Sequence, residues 1–170
     1  MSLGISTTAS RVLFHKVIGM LSGGFSGLSV THCDAGNYNS VPSNTLGLKM
    51  ARTRELLYRW LELAALTLFF RTSECTVLRL PIESYLRLAH TAKLFVFLAE
   101  YRKPILSEAH KNRWPVLRHP VLYYPTEKII QTLIYQQFFI GSCVMAAPVL
   151  TPYTTYVEVY FPKDRQRIKW

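Results

Sequence analysis

The chain has 170 residues, 49% of them hydrophobic and 13% aromatic, with 20 Lys and Arg against 10 Asp and Glu. A mean hydropathy of +0.13 with 18% charged residues excludes an intrinsically disordered segment, which combines low hydrophobicity with high charge. The length suits one ordinary domain and is too short for a closed eight-fold β/α barrel of about 250 residues.

The formal net charge of +10 raises a nucleic-acid or anionic-membrane partner, because Lys and Arg supply the sequence-independent part of phosphate binding. The densest basic stretch, Lys163 to Lys169, lies at the C-terminus, and no nucleic-acid motif accompanies it. Neither a nucleic-acid nor a membrane partner is therefore expected. Only Asp34 and Asp164 are aspartates, so a mechanism needing paired Asp has little to draw on. Cys33, Cys75 and Cys143 lie more than 40 residues apart without a C-x-x-C pair, and no metal site or cofactor is expected.

In chain order, residues 1–16 are polar and rich in small side chains, a segment of uncertain structure. The apolar stretch Val17 to Val30 is broken by Gly19, Gly23, Gly24 and Gly27 and does not read as a signal peptide. The glycine cluster is not a phosphate loop either, since no Gly-Lys-Ser/Thr follows. Gly27 to His32 is the first strand candidate, and Cys33 to Asn44 reads as a loop from its Gly, Asn and Pro content. A helix is expected from about Ala51 to Ala65, with Leu56, Leu57, Trp60, Leu61 and Ala64 on its apolar face and Glu55–Arg59 as an i,i+4 pair.

Leu66 to Arg71 reads as a short buried strand. Glu83 to Glu100 reads as an amphipathic helix burying Leu86, Ala89, Leu94, Phe97 and Leu98, and Pro104 as the first position of another helix. Val116 to Tyr123 is the third strand candidate and Glu127 to Phe139 the next helix. Val144 to Val149 and Thr155 to Phe161 read as strands of an all-β segment. Ile129 to Val149 contains no charged residue, but Gln131, Gln136, Gln137, Gly141 and Pro148 argue against a membrane span. The alternation of short strands and helices predicts a parallel α/β fold.

Such folds carry their chemistry on the loops after the strand C-termini. Three ends are available: His32, Cys33 and Asp34; Arg71, Thr72, Ser73 and Glu74; and Arg118 and His119. A titratable group at each end is the pattern of a polar pocket. For each residue a structural role stands beside the functional one: an Asx turn for Asp34, a Glu74 partner for Arg71, a satisfied core imidazole for His119.

These residues carry a resemblance. The stretch Gly19 to Tyr38 is similar to the glycoside hydrolase family 31 block close to SGFSLTHSDIGGY. Arg52 to Ala65 and Phe70-Arg71-Thr72 resemble that family's RSKELLLRWMELAAFTPVFRTHE. Trp114 to Pro125 and Ala146 to Leu150, followed by Val157 to Pro162, continue the family's order, so the likeness spans roughly residues 17 to 170. The wording is closest to α-glucosidase and sulfoquinovosidase-like members.

The resemblance implies the last three strand–helix units of a (β/α)8 barrel over residues 17–142, then the start of a β-sandwich-type domain over 143–170. It also implies a retaining α-glycosidase acting on a carbohydrate substrate. Retention uses two carboxyl groups about 5–5.5 Å apart, one as nucleophile and one as acid/base. Asp34 stands at the acid/base position, with Arg71, His32, Ser73 and His119 as substrate-binding candidates. The family's nucleophile lies on an earlier strand, so the chain is expected to be inactive alone. The pattern departs at Ser73, where the family has His, and at Ala35, Asn37, Leu68 and Ser142-Cys143. The competing expectation is a catalytically inactive remnant kept as a binding or scaffold module.

Overall fold

The computed structural model describes residues 3–36, 54–72, 81–151 and 153–162, with side chains from residue 12 onward. Helix α1 spans Leu3–Phe25, α2 Arg54–Ala65, α3 Ile82–Phe97 and α4 Ala99–Asn112. Strand β1 (Leu117–Arg118), a 3-10 turn (Pro120–Leu122), α5 (Lys128–Thr132), β2 (Phe138–Ile140) and β3 (Val144–Ala146) follow. No helix among the described residues is long and apolar enough to cross a membrane.

The N-terminal stretch is a continuous helix, where the sequence predicts a glycine-broken segment. Each helical Gly costs about 1 kcal/mol relative to Ala, and packing outweighs it. Leu13, Val17, Met20 and Leu21, at three- and four-residue spacing, are buried against Trp60, Leu63, Val116 and Phe138. Gly24 is required by contact, because a Cβ there would sit 2.9 Å from the Pro115 Cβ. The helix ends on Gly27 at φ +87°, with Leu28 N–H donating to Gly23 O at 2.9 Å and Gly27 N–H to Gly24 O at 3.2 Å. That is a left-handed cap satisfying two terminal carbonyls.

Helix α2 buries the expected Leu56, Leu57, Trp60, Leu61 and Ala64, and Leu63 and Ala65 besides. Its Glu55–Arg59 pair forms at 2.7 Å, and Arg59 also donates to Val149 O and Thr154 O, tying the C-terminal segment to the helix.

The expected helix from Glu83 to Glu100 is two helices meeting at Leu98 (φ −81°, ψ 2°). The buried guanidinium of Arg102 separates them. It donates to Phe95 O at 2.6 Å, at the end of α3, and to Ala65 O at 2.5 Å, at the end of α2. A cation thus meets the negative ends of two helices. Burial lowers the Arg102 pKa. The buried face of α3 also differs from the expected one: Leu86, Phe97 and Val96 are exposed, whereas Ser84 and Thr91 are buried. Small polar residues let α3 approach α2 closely, and Ser84 Oγ meets Tyr58 OH at 2.9 Å. Pro104 lies inside α4, not at its start.

The ladder that forms is antiparallel, in the order β1-β2-β3, with Leu117 opposite Ile140 and Phe139 opposite Met145. Among the described residues, parallel pairing is confined to the bridge between Ala35 and Thr72. The strand expected over Val116 to Tyr123 stops at Arg118, since His119 Nδ1 accepts from Val121 N–H and Pro120 has no donor. The helix expected over Glu127 to Phe139 is five residues long. Gln136 Oε1 accepts from the N–H groups of Ile134 and Tyr135, which takes them out of the helical ladder and frees Phe138 to Ile140 for the sheet. Thr155 to Phe161 is irregular rather than a ladder strand.

Candidate active site

Two extended segments form the site. Alternation along the first places Cys33 in the core, 3% exposed, and turns His32 and Asp34 to the other side. Burial pushes the Cys33 thiol up to about 11, against the opposing pull of the Trp60 indole. The second segment follows a turn in which Leu66 and Thr67 N–H donate to Leu63 and Ala64 O. It reaches Ala35 through the parallel bridge to Thr72, with Ala35 N–H donating to Arg71 O at 2.8 Å.

The bridge sets one register for the whole site. Ala35 and Thr72 are 37 positions apart, and the same offset brings His32 against Phe69 and Asp34 against Arg71. The His32 and Phe69 rings meet edge to face at 5.3 Å. Arg71 Nε donates to Asp34 Oδ1 at 2.7 Å and Nη2 donates to Oδ2 at 2.9 Å, a bidentate pair. The Asp34 side chain is 9% exposed and that of Arg71 57%. His32 Nδ1 lies 3.7 Å from Asp34 Oδ1, too far for a hydrogen bond, and is a buried nitrogen with no hydrogen-bond partner.

An open cleft of about 490 Å³ adjoins the pair, lined by His32, Phe69, Phe70, Arg71 and Phe95. Phe70 and Phe95 stack at a tilt, 5.7 Å between centroids. Such a cleft joins apolar ring faces to a guanidinium and an imidazole, which suits a ligand with both C–H faces and oxygens. Among the described residues no cluster of three or more metal-ligating side chains is found.

The structure brings three of the expected residues together: Asp34, Arg71 and His32. Ser73 and Glu74 lie outside the described residues. His119 is not in this cleft. Its Nε2 bonds Leu133 O at 2.9 Å and its Nδ1 caps the 3-10 turn, so both ring nitrogens serve the fold. It borders a separate cleft of about 470 Å³ with Phe25 and Ile134. Burial lowers its pKa, partly opposed by the Leu133 carbonyl. Arg118, its neighbour, is 1% exposed and bonded to Glu108, Tyr123 OH and Pro115 O. Burial works against its charge, but the bonds to Glu108 and Tyr123 prevail and raise its pKa. Phe69 and Phe95 escaped the sequence reading. Phe69 carried a signal, sitting two residues before Arg71 on an extended segment, whereas Phe95 reaches the cleft from α3 with none.

Residues 113–170 match the model of the glycosyl hydrolase family 31 C-terminal domain. Over 153 residues the chain is 36% identical to a sulfoquinovosidase of Agrobacterium fabrum, covering 86% of this chain and 22% of that protein. It is 29% identical over 160 residues to alpha-glucosidase 2 of Bacillus thermoamyloliquefaciens, covering 86% and 18%. A solved family 31 sulfoquinovosidase from E. rectale, in complex with an aza-sugar inhibitor, superposes with a TM-score of 0.71 at 30% identity, over 87% of this chain and 22% of that one. The chain spans about a fifth of the length of the curated relatives it matches. With the likeness running through the Asp34 and Arg71 segments as well as the C-terminal part, the chain belongs to glycoside hydrolase family 31.

Proposed function

We propose that this chain carries the acid/base half of a retaining α-glycosidase site, for sulfoquinovoside- or α-glucoside-like substrates. Asp34 is the acid/base, and the nucleophile comes from a part of the protein beyond these residues. Residues 17–142 then belong to a (β/α)8 barrel and 143–170 to the start of an all-β domain. That division falls in the β2–β3 hairpin, which both parts share.

The observation that carries the reading is the Asp34–Arg71 pair, held in register at the mouth of an aromatic-lined cleft. A carboxylate clamped on both oxygens by a guanidinium is held as the charged base. To act as an acid it leaves Arg71 and takes a proton, favoured by the negative field of a nucleophile carboxylate about 5–5.5 Å away. Arg71 is 57% exposed and Asp34 9%, so opening the pair returns the guanidinium to water and leaves a largely buried carboxylate, for which taking up the proton relieves the uncompensated charge. The freed guanidinium then donates to substrate oxygens, while Ser73 supplies a shorter hydroxyl where the family has a histidine.

The test is a chimaera in which this chain replaces the matching segment of the Agrobacterium sulfoquinovosidase. Hydrolysis of an aryl α-sulfoquinovoside or aryl α-glucoside is expected, lowered about a hundred- to ten-thousand-fold by Asp34→Asn. An Asp34→Asn chimaera as active as its parent would overturn the assignment. The isolated 170-residue chain is expected to show no turnover. Activity in that chain, abolished by Asp34→Asn, would remove the need for a second piece.

A further inference from the structure

Arg102 is 4% exposed, and among the described residues no carboxylate pairs with it. Its Nε is buried without a hydrogen-bond partner. A buried cation is costly, and an apolar side chain of similar volume commonly packs at least as well, so the guanidinium calls for a task that an apolar group cannot perform. Its contacts name that task. Nη1 donates to Phe95 O at 2.6 Å, and Cζ lies 4.2 Å from the centroid of the Phe95 ring. One group thus holds both the backbone and the ring of one residue. Phe70 approaches the same ring, 5.7 Å between centroids at a tilt of 36°. Nη2 donates to Ala65 O at 2.5 Å, at the end of α2, where the chain departs toward Phe69, Phe70 and Arg71. Phe70, Arg71 and Phe95 line the cleft, whereas Arg102 does not.

We propose that Arg102 is a positioning residue of the cleft, bracing the Phe95 ring from behind as an apolar face for the C–H side of a sugar ring. A planar cation set against an aromatic ring favours one orientation of that ring. The bonds to the ends of α2 and α3 fix how far Phe95 stands from the segment that carries Arg71. A sugar matches this pair of walls, because its C–H groups pack on a ring face and its hydroxyl oxygens accept from a guanidinium. The proposal rests on the cleft receiving the sugar and is independent of the role given to Asp34.

The first experiment uses the 170-residue chain with carbon-13 in its phenylalanine rings and reads the Phe95–Phe70 ring contacts by NMR. Arg102→Met is expected to move the Phe95 ring-proton shifts and weaken those contacts. Arg102→Lys keeps a cation within reach of the carbonyls but has no planar face. It is expected to release the ring as well, and it serves if Arg102→Met fails to fold. Ring shifts and contacts unchanged in a folded variant would overturn the proposal.

The second experiment uses the chimaera. Phe95→Ala is expected to raise KM for the aryl α-sulfoquinovoside or aryl α-glucoside about two- to ten-fold with kcat little changed. Arg102→Lys is expected to raise KM by a similar factor, and the double variant no further, because Arg102 acts through that ring. Factors that multiply in the double variant would show a general structural role and sink the proposal while the cleft reading stands. Unchanged KM in Phe95→Ala would overturn both, since the sugar then lies elsewhere.

Discussion

The side-chain amide of Gln137 pairs with both backbone groups of Tyr160. Its Nε2 donates to Tyr160 O at 2.7 Å, and its Oε1 accepts from Tyr160 N–H at 2.8 Å. Gln137 is 1% exposed and immediately precedes β2, so one side chain does for the C-terminal segment what a neighbouring strand would do. Tyr160 OH is anchored on Glu127 at 2.7 Å, a bond that raises the tyrosine pKa.

Gln137→Ala removes both partners of the Tyr160 peptide and is expected to cost about 1–3 kcal/mol. Gln137→Glu keeps one acceptor but buries a charge, and is expected to cost more. Urea denaturation measures the loss, and hydrogen exchange at the Tyr160 amide localises it. An unchanged Tyr160 exchange rate in Gln137→Ala would show that the amide pair does not hold the segment.

Gly141, in the turn between β2 and β3, has φ +64°, and a Cβ there would lie 2.5 Å from Ile105 Cδ1. Gly141→Ala is therefore expected to destabilise through both backbone conformation and overpacking, by about 1–3 kcal/mol. Adding Ile105→Ala removes the obstructing side chain, so the double variant is expected to lose less than the sum of the two single losses. Denaturation midpoints of all three variants check this; simple additivity would exclude the clash.

His119 gives a pH dependence of known sign. Its folded pKa lies below the ordinary 6.5, so across the window between the two the unfolded chain binds more protons. Its contribution to stability is complete above 6.5 and is lost as pH falls through that window. Protonation would also remove Nδ1 as the acceptor for Val121 N–H. His119→Asn, which keeps a capping oxygen, is expected to flatten the stability curve there. Parallel curves for wild type and variant would assign the dependence elsewhere.

The thiols of Cys33 and Cys143 differ in environment. With its pKa at about 11, Cys33 is ionised at roughly one part in a thousand at pH 8, and it is buried. Cys143 is exposed. Iodoacetamide is expected to modify Cys143 in the native chain and Cys33 only after denaturation, as read by peptide mass mapping. Rapid native labelling of Cys33 would contradict its burial.

Much of the local order was legible from residue spacing. Leu56, Leu57, Trp60, Leu61 and Ala64 recur as one helical face, and that face is buried. Asp34, Arg71 and His32 were each visible at the ends of extended runs. Where spacing misled, a side chain had captured a backbone group. Gln136 ends α5 early, Arg102 separates α3 from α4, and His119 with Pro120 stops β1. A periodicity argument cannot see these bonds, because their partners are chosen by position in space. The buried side of α3 was misread for a related reason: close approach to α2 favours Ser84 and Thr91 over Leu86 and Phe97.

By itself the sequence determined which residues are candidates for chemistry and which family the chain belongs to, because side-chain identity and motif order are properties of the chain alone. Only the tertiary structure decided how those residues meet. The parallel bridge between Ala35 and Thr72 imposes one offset, and through it Asp34 receives Arg71 and His32 receives Phe69. A slip of the second segment by one residue would turn Phe69 and Arg71 to the face opposite His32 and Asp34. The cleft therefore exists because of a register that packing between distant segments sets.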